Sequence, residues 1–371
     1  MTQLARANIA EIEPYIPGKP IDEVAREFGL KGGIIKLASN ENPLGPSPLA
    51  VKALENGINN LNLYPDDSCY YLARALAAKL GISSQELILG NGSVEILDFI
   101  AKAFINHGDE AVMSDYTFVM YKIITAIAGG IRKAIPLKDF RNNLDAMADA
   151  ITNRTKVIFI ANPNNPTGTI NTAEEVKRFM ARVPDNVLVV FDEAYREYVL
   201  NPDFPDTLQY LKDGRNVIIL RTFSKIYGLA GLRLGYGIAK TGLISALRKV
   251  HLPFSINCSA QTAGLAALGD VKHIEKSVET NEKGRDFLCR QFDKIGLSYV
   301  PTAANFIFTL PMAKSRGKLP MDATKFSDGL LKQGIIVRYL PEQDYHGVRI
   351  TIGTKSQNQK LIKALKKTLP H

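Results

Sequence analysis

Arg221-Thr222-Phe223-Ser224-Lys225-Ile226-Tyr227-Gly228-Leu229-Ala230-Gly231-Leu232-Arg233 follows directly on the apolar run Val217-Ile218-Ile219-Leu220. A short continuous apolar run predicts a buried strand. Small hydroxyls, one lysine, glycines and an arginine then crowd together. An anionic group could sit between Thr222, Ser224 and Arg233, with Lys225 above it as a reactive amine. Lysine becomes a covalent catalyst when it forms a Schiff base with a carbonyl, and pyridoxal phosphate supplies both carbonyl and anion. The plainer alternative is a strand that ends in an exposed loop, its lysine a solvated charge.

Working outward, strands and helices alternate. Ala111-Val112-Met113, Lys156-Val157-Ile158-Phe159-Ile160 and Val187-Leu188-Val189-Val190-Phe191 read as strands, and Thr172 to Val183 as a helix. Continuous apolar strands alternating with helices predict an α/β fold with a mainly parallel sheet covered on both faces. Ligands in such sheets bind beyond the carboxyl ends of the strands. Three segments therefore gather at one edge: Asn162-Pro163-Asn164-Asn165-Pro166-Thr167-Gly168, Asp192-Glu193-Ala194-Tyr195 and the Lys225 stretch.

Upstream, Glu86-Leu87-Ile88-Leu89 leads into Gly90-Asn91-Gly92-Ser93-Val94-Glu95 and an apolar helix through Phe104. A glycine turn feeding a helix start suits phosphate, because free N–H groups and the helix dipole both favour an anion. It is not a Walker loop, since no Gly-Lys-Ser/Thr follows. Glu95 fills the place of a third glycine, so it is not a dinucleotide turn either. A plain helix entry is the alternative.

Residues 1–35 read as an arm. Pro14-Tyr15-Ile16-Pro17-Gly18-Lys19-Pro20 cannot be a continuous helix, because proline lacks the N–H donor. Ile21 to Phe28 forms a short amphipathic helix closed by Gly29. Ser47 to Leu61 is expected as a helix capped by Ser47, and Tyr70 to Leu80 as another ending at Gly81. Beyond His251-Leu252-Pro253-Phe254, one long helical region runs from Ser259 to Ile295. Tyr299-Val300, Phe306-Ile307-Phe308 and Val348-Arg349-Ile350-Thr351-Ile352 then predict strands of a smaller α/β domain. The expected division is an arm at 1–35, a large domain at 36–255 and a small domain at 256–371.

The 371 residues are enough for two domains, and the net charge of +9 could favour anionic partners. The basic residues are spread along the chain rather than blocked, which argues against nucleic acid. Cys69, Cys258 and Cys289 are far apart and odd in number, suggesting neither a disulfide framework nor a metal site and fitting a cytoplasmic protein. The first residues lack the apolar core of a signal peptide, and no run approaches the length of a membrane helix.

With pyridoxal phosphate in view, the strand-end residues acquire roles. A carboxylate at Asp192 could keep the pyridine nitrogen protonated, so that the ring accepts carbanion electrons. Tyr195 and the amide of Asn165 could donate to the ring's phenolate oxygen. The plain alternatives are a turn-forming aspartate and a core tyrosine. In Val348-Arg349-Ile350-Thr351-Ile352 the apolar residues share one face, leaving Arg349 on the other as a fixed fork suited to carboxylate or phosphate.

Asn165-Pro166-Thr167-Gly168, Asp192-Glu193-Ala194-Tyr195, Ser224-Lys225 and Gly231-Leu232-Arg233, in that order, resemble the fold-type I aminotransferases of the class I/II group. The resemblance spans nearly the whole chain. Narrower marks resemble the histidinol-phosphate aminotransferases within that group: Pro14-Tyr15-x-Pro17-Gly18, Asn40-Glu41-Asn42-Pro43 with Gly45-Pro46, Tyr64-Pro65-Asp66 and Val348-Arg349-Ile350-Thr351-Ile352-Gly353.

The resemblance implies a large domain with a mainly parallel, seven-stranded-type sheet and a smaller α/β domain. It implies that Lys225 carries the cofactor and shuttles the substrate proton. Asp192 pairs with the ring nitrogen, and Asn165 and Tyr195 hold the ring oxygen. Thr222, Ser224, Arg233 and the backbone at Ser93 and Val94 hold the cofactor phosphate. Tyr64 reaches that phosphate from the neighbouring subunit of a homodimer. Phe118, or else Tyr116, stacks on the ring. Arg349 takes an anionic substrate group, with Arg338 and Tyr15 near a substrate phosphate.

The implied substrates are histidinol phosphate and glutamate/2-oxoglutarate, in a soluble enzyme of histidine biosynthesis. An aromatic amino-acid transaminase, a decarboxylase of a phosphorylated amino acid and a non-catalytic pyridoxal-phosphate-binding regulator are the alternatives. A Ser224-Lys225 hydrolase fails, because neighbours on an extended segment point apart. Two positions depart from the family: Val94 stands where an aspartate is common, and Asp67 where a glycine is common.

Overall fold

The computed structural model describes residues 4–369 except 11, 17, 31, 58–60, 312–320 and 343–344. Pro17 of the proline-rich motif and residues 58–60 of the helix expected over 47–61 lie outside the described residues. Strands β1 (Ile35–Lys36), β2 (Leu87–Gly90), β3 (Glu110–Ser114) and β4 (Ile131–Ile135) come first. Next are β5 (Thr155–Ala161), β6 (Leu188–Asp192), β7 (Val217–Thr222) and β8 (Gly235–Ala239). The C-terminal strands are β9 (Ser298–Val300), β10 (Phe306–Leu310), β11 (Ile335–Ile336), β12 (Arg338–Glu342) and β13 (Tyr345–Thr351).

Seven strands form one sheet in the order β2-β8-β7-β6-β5-β3-β4. Strand β8 runs antiparallel to both neighbours, and the other pairs are parallel. Alternation along the strands divides the apolar residues between two cores. Ile158, Ile160, Val189, Phe191, Val217 and Ile219 join one; Val157, Phe159, Leu188, Val190, Ile218 and Leu220 join the other. A sheet buried on both faces has no polar side, which is why these strands read as unbroken apolar runs.

Strands β4 and β8 are among those that escaped the sequence reading. Strand β4 is the sheet edge and only partly buried, so its Ile131-Arg132-Lys133-Ala134-Ile135 carries no clear pattern. Strand β8, Gly235-Tyr236-Gly237-Ile238-Ala239, is buried but contains two glycines that argue locally against a strand.

The small domain centres on a four-stranded antiparallel sheet, β12-β13-β10-β9. The helices Ala323–Leu331 and Lys355–Thr368 bury Phe326, Leu330, Leu361 and Leu365 against it. The helical region expected from Ser259 to Ile295 consists of two helices, Cys258–Leu268 and Val271–Ile295. Asp270 separates them: its carboxylate accepts from His273 N at 3.2 Å and from Ser47 Oγ at 2.6 Å, capping the second helix. The first helix shares the large-domain core through Ala260, Ala263 and Ala267, while the second ends in the small-domain core at Leu288 and Phe292. The expected boundary at 255/256 precedes the first of these helices. At the other end of the chain, β1 pairs in parallel with β11, tying residues 35–36 to the small domain. Among the described residues no helix is long and apolar enough to cross a membrane.

Candidate active site

Parallel strands put their carboxyl ends on one edge, and there the loops after β3, β5, β6 and β7 meet the helix start after β2. They line a cavity of about 300 Å³ that the small domain closes from the other side with Arg338 and Arg349.

Asp192 is the last residue of β6 and 6% exposed. Its Oδ2 accepts from the Tyr121 hydroxyl at 2.8 Å and its Oδ1 from Ala194 N at 3.2 Å. Burial raises its pKa to about 6, against the lowering effect of Tyr121. Tyr121 is wholly buried and stacked on Phe159 at 4.9 Å and 6°. The sequence reading gives it no role. Its local signal is the spacing of three from Phe118, which stands just before the helix Met120–Ile127 and meets its ring edge-on.

Lys225 follows β7, half-buried, with Nζ donating to Ser39 O at 3.1 Å. Burial, aided by the nearby Arg349 and Arg233, lowers the amine to about 7. A lysine with that pKa is substantially a neutral nucleophile near neutral pH. Tyr195 accepts from Asn40 Nδ2 at 2.9 Å, and its ring centroid lies 5.7 Å from Lys225 Nζ.

The Gly90 to Val94 turn lies beside Thr222, Ser224 and Arg233. Gly92 has φ 81°, and a Cβ there would stand 2.5 Å from Arg233 Nη2. A Cβ at Gly235 would stand 2.3 Å from Ser93 N. Only glycine lets the arginine and β8 approach the helix start this closely. No side chain caps the helix Ser93–Phe104, so its first N–H groups face the cavity with the positive end of the dipole. Val94, at the start of that helix, lines the cavity.

Arg349 lies on β13 and points into the cavity. Its guanidinium donates to Asn165 Oδ1 and to Ala38 O at 2.8 Å, while its buried Nε has no partner among the described residues. Burial lowers its pKa, a measure of how poorly that charge is accommodated alone. Arg338 stacks over Tyr15 at 5.5 Å and donates to Ile16 O. Among the described residues no carboxylate forms an ion pair with Arg233, Arg338 or Arg349.

Of the two candidate stacking aromatics, Phe118 lines the cavity, edge-on to Tyr121 at 5.6 Å and 86°. Tyr116 turns into the small domain, stacking on Tyr345 at 4.6 Å and donating to Leu340 O at 2.8 Å. Tyr64 stands outside the cavity of its own chain, 83% exposed and stacked on Phe254 at 4.7 Å. Asp67, the departure beside it, accepts from Phe254 N at 2.5 Å.

A family model described as "Aminotransferase class I and II" matches residues 32–365. A histidinol-phosphate aminotransferase of Moorella thermoacetica is 50% identical over 366 residues, 98% of this chain and 92% of that one. One from Caldicellulosiruptor saccharolyticus is 45% identical over 98% of this chain and 99% of that one. The crystal structure of histidinol-phosphate aminotransferase from Sinorhizobium meliloti in complex with pyridoxal-5'-phosphate matches with a TM-score of 0.89 at 27% identity, covering 99% of this chain and 98% of that one. The α/β architecture, the cavity at the strand ends and these matches agree, and the chain belongs to the class I and II aminotransferases.

Proposed function

We propose that this aminotransferase binds pyridoxal phosphate and moves the amino group of L-glutamate to imidazole-acetol phosphate, reversibly, giving histidinol phosphate and 2-oxoglutarate. The observation that carries the reading is the trio of arginines without carboxylate partners around the cavity of Lys225 and Asp192. Arg349 is partly buried, and a cation there is unfavourable until an anion pairs with it; with Arg338 and the exposed Arg233 on the same cavity, the site suits ligands that bring at least two anionic groups. Arg233 answers the cofactor phosphate; Arg349 and Arg338 answer the substrate. The 50% identity to the Moorella thermoacetica enzyme supports the choice of substrate.

The cofactor fits the residues present. When bound, it supplies an aldehyde carbon that condenses with amines and a ring that takes up electrons from the substrate. Lys225 would hold that carbon, and its amine would carry the proton at the substrate Cα. The Asp192 carboxylate holds a proton on the ring nitrogen. Asn165 and Tyr195 would donate to the ring oxygen, and Phe118 would pack against the ring. Ser93 and Val94 N–H groups, the Thr222 and Ser224 hydroxyls and Arg233 hold the phosphate.

Tyr64 completes that phosphate site from the partner subunit of a homodimer. Its exposure, beside exposed Leu61, Leu63 and Tyr71, supports this. The three free cysteines support a cytoplasmic setting.

The test is kcat/KM for L-histidinol phosphate, phenylalanine and tyrosine as donors to 2-oxoglutarate. Histidinol phosphate should lead by at least about a hundredfold, the value of a well-placed charged contact. A preference for phenylalanine or tyrosine makes the chain an aromatic transaminase, and carbon dioxide release from a phosphorylated amino acid makes it a decarboxylase. Borohydride reduction and peptide mapping should place the pyridoxyl group on Lys225; any other lysine refutes the cofactor assignment.

A further inference from the structure

We infer that Asn40 is a positioning residue for Tyr195: its amide occupies the phenolic oxygen and leaves the hydroxyl proton for the acceptor that enters the cavity. The inference rests on the reading of Tyr195 as a donor to the cofactor ring oxygen.

Asn40 is 1% exposed, and each of its polar groups is engaged. Its Nδ2 donates to Tyr195 OH at 2.9 Å, and its N donates to Thr351 Oγ1 at 2.9 Å. Its O accepts from Asn305 Nδ2 at 3.0 Å, and its Oδ1 accepts from Thr351 Oγ1 at 3.3 Å. A hydroxyl that donates to Oδ1 leaves the NH2 side facing Tyr195. Asn40 reaches this arrangement at φ 56°, a left-handed conformation that asparagine tolerates better than most side chains. Local strain of this kind persists only where the surroundings over-determine it.

The consequence is chemical. A phenolic O–H lies close to the ring plane, in one of two orientations. The tyrosine ring is itself fixed, packed edge-on to Phe306 at 5.1 Å and 79°. With the Asn40 amide donating to the oxygen, the proton takes the other orientation. Accepting a hydrogen bond also polarises the O–H and strengthens it as a donor. Burial raises the phenol's pKa, while Arg349 and the Asn40 amide oppose that rise.

A bracing role for the loop alone is separable, because the main-chain bonds to Thr351 and Asn305 do that work. Asn40→Gly keeps those bonds and suits the positive φ, yet deletes the amide.

The experiment titrates the visible absorption of the cofactor-loaded enzyme against pH. A donor to the ring oxygen favours its deprotonated form, so loss of donation raises the midpoint. Asn40→Gly should raise it by about half to one unit, within the range of one lost hydrogen bond. Asn40→Asp should raise it further, since a carboxylate accepts the tyrosine proton and turns it from the cavity. In a Tyr195→Phe background, which has no hydroxyl to orient, Asn40→Gly should add less than about 0.2 unit.

An Asn40→Gly shift that persists undiminished in Tyr195→Phe, or no Asn40→Gly shift where Tyr195→Phe alone gives one, overturns the inference. If Tyr195→Phe itself leaves the midpoint in place, the reading of Tyr195 falls, and this inference with it. Should Asn40→Gly not fold, Asn40→Asp carries the same test, since it keeps the main-chain bonds to Thr351 and Asn305. Its rise should be clearly smaller in the Tyr195→Phe background, and an undiminished rise there overturns the inference.

Discussion

Replacing Tyr121 by phenylalanine should make cofactor binding depend on pH in a new way. The change keeps the ring and its 4.9 Å stack on Phe159 but removes the hydroxyl 2.8 Å from Asp192 Oδ2. A buried hydrogen bond to a charged group is worth about 1.5–3 kcal/mol, and one pKa unit is 1.36 kcal/mol. The Asp192 carboxyl, already raised to about 6 by burial, therefore moves to about 7–8.

Only the ionised carboxylate pairs with a protonated ring nitrogen. Taking the middle of the range, cofactor affinity should fall about eightfold at pH 6.5, about twofold at pH 7.5 and not at all near pH 9. Fluorescence titration of cofactor-free protein with pyridoxal phosphate at these three pH values measures it. An equal loss at every pH would assign Tyr121 to packing alone, and no loss at pH 6.5 would refute the linkage to Asp192.

Further outcomes follow from the same cavity. In cofactor-free protein, Lys225 is lowered to about 7 by burial, so its amine is half neutral there and increasingly so as pH rises. An unperturbed lysine at that pH is neutral only about once in three thousand. Competitive labelling with an amine reagent from pH 5 to 10, followed by peptide mapping, should give Lys225 a midpoint some three units below that of surface lysines; a midpoint near 10 refutes the burial argument. Asp192→Asn should lower kcat/KM by several kcal/mol, a few factors of ten, with a smaller effect on cofactor affinity. A loss under about tenfold would remove the carboxylate from the mechanism. Arg349→Ala should weaken the half-reactions with glutamate and histidinol phosphate by about 2–4 kcal/mol each, and Arg349→Lys should recover only part, since an ammonium lacks the fork. Single-turnover kinetics with each donor checks this, and near-native rates in both would move anion recognition to Arg338 and Tyr15.

Much of this was legible in one dimension, because the signals are local. The unbroken apolar runs at β5, β6 and β7 announce a sheet buried on both faces, since a doubly covered strand has no polar side to alternate with. Asp192, Asn165 and Lys225 sit just at or beyond those strand ends, so strand direction alone gathers them at one edge. Alternation on β13 similarly fixes Arg349 opposite its apolar neighbours.

What the sequence left open depends on partners far along the chain. Phe118 comes first and Tyr116 second as the stacking aromatic in the sequence, and only the fold shows that Phe118 lines the cavity while Tyr116 packs on Tyr345. Strand β8 is held by two neighbours despite its glycines, a tertiary override of local propensity. Tyr121 has no role in the sequence until β6 brings Asp192 against it. Asn40 reads as a turn residue until Thr351, 311 positions on, supplies the hydroxyl that orients its amide. Periodicity and strand direction are properties of neighbours in sequence; a hydrogen bond between distant side chains exists only once the fold has closed the distance between them.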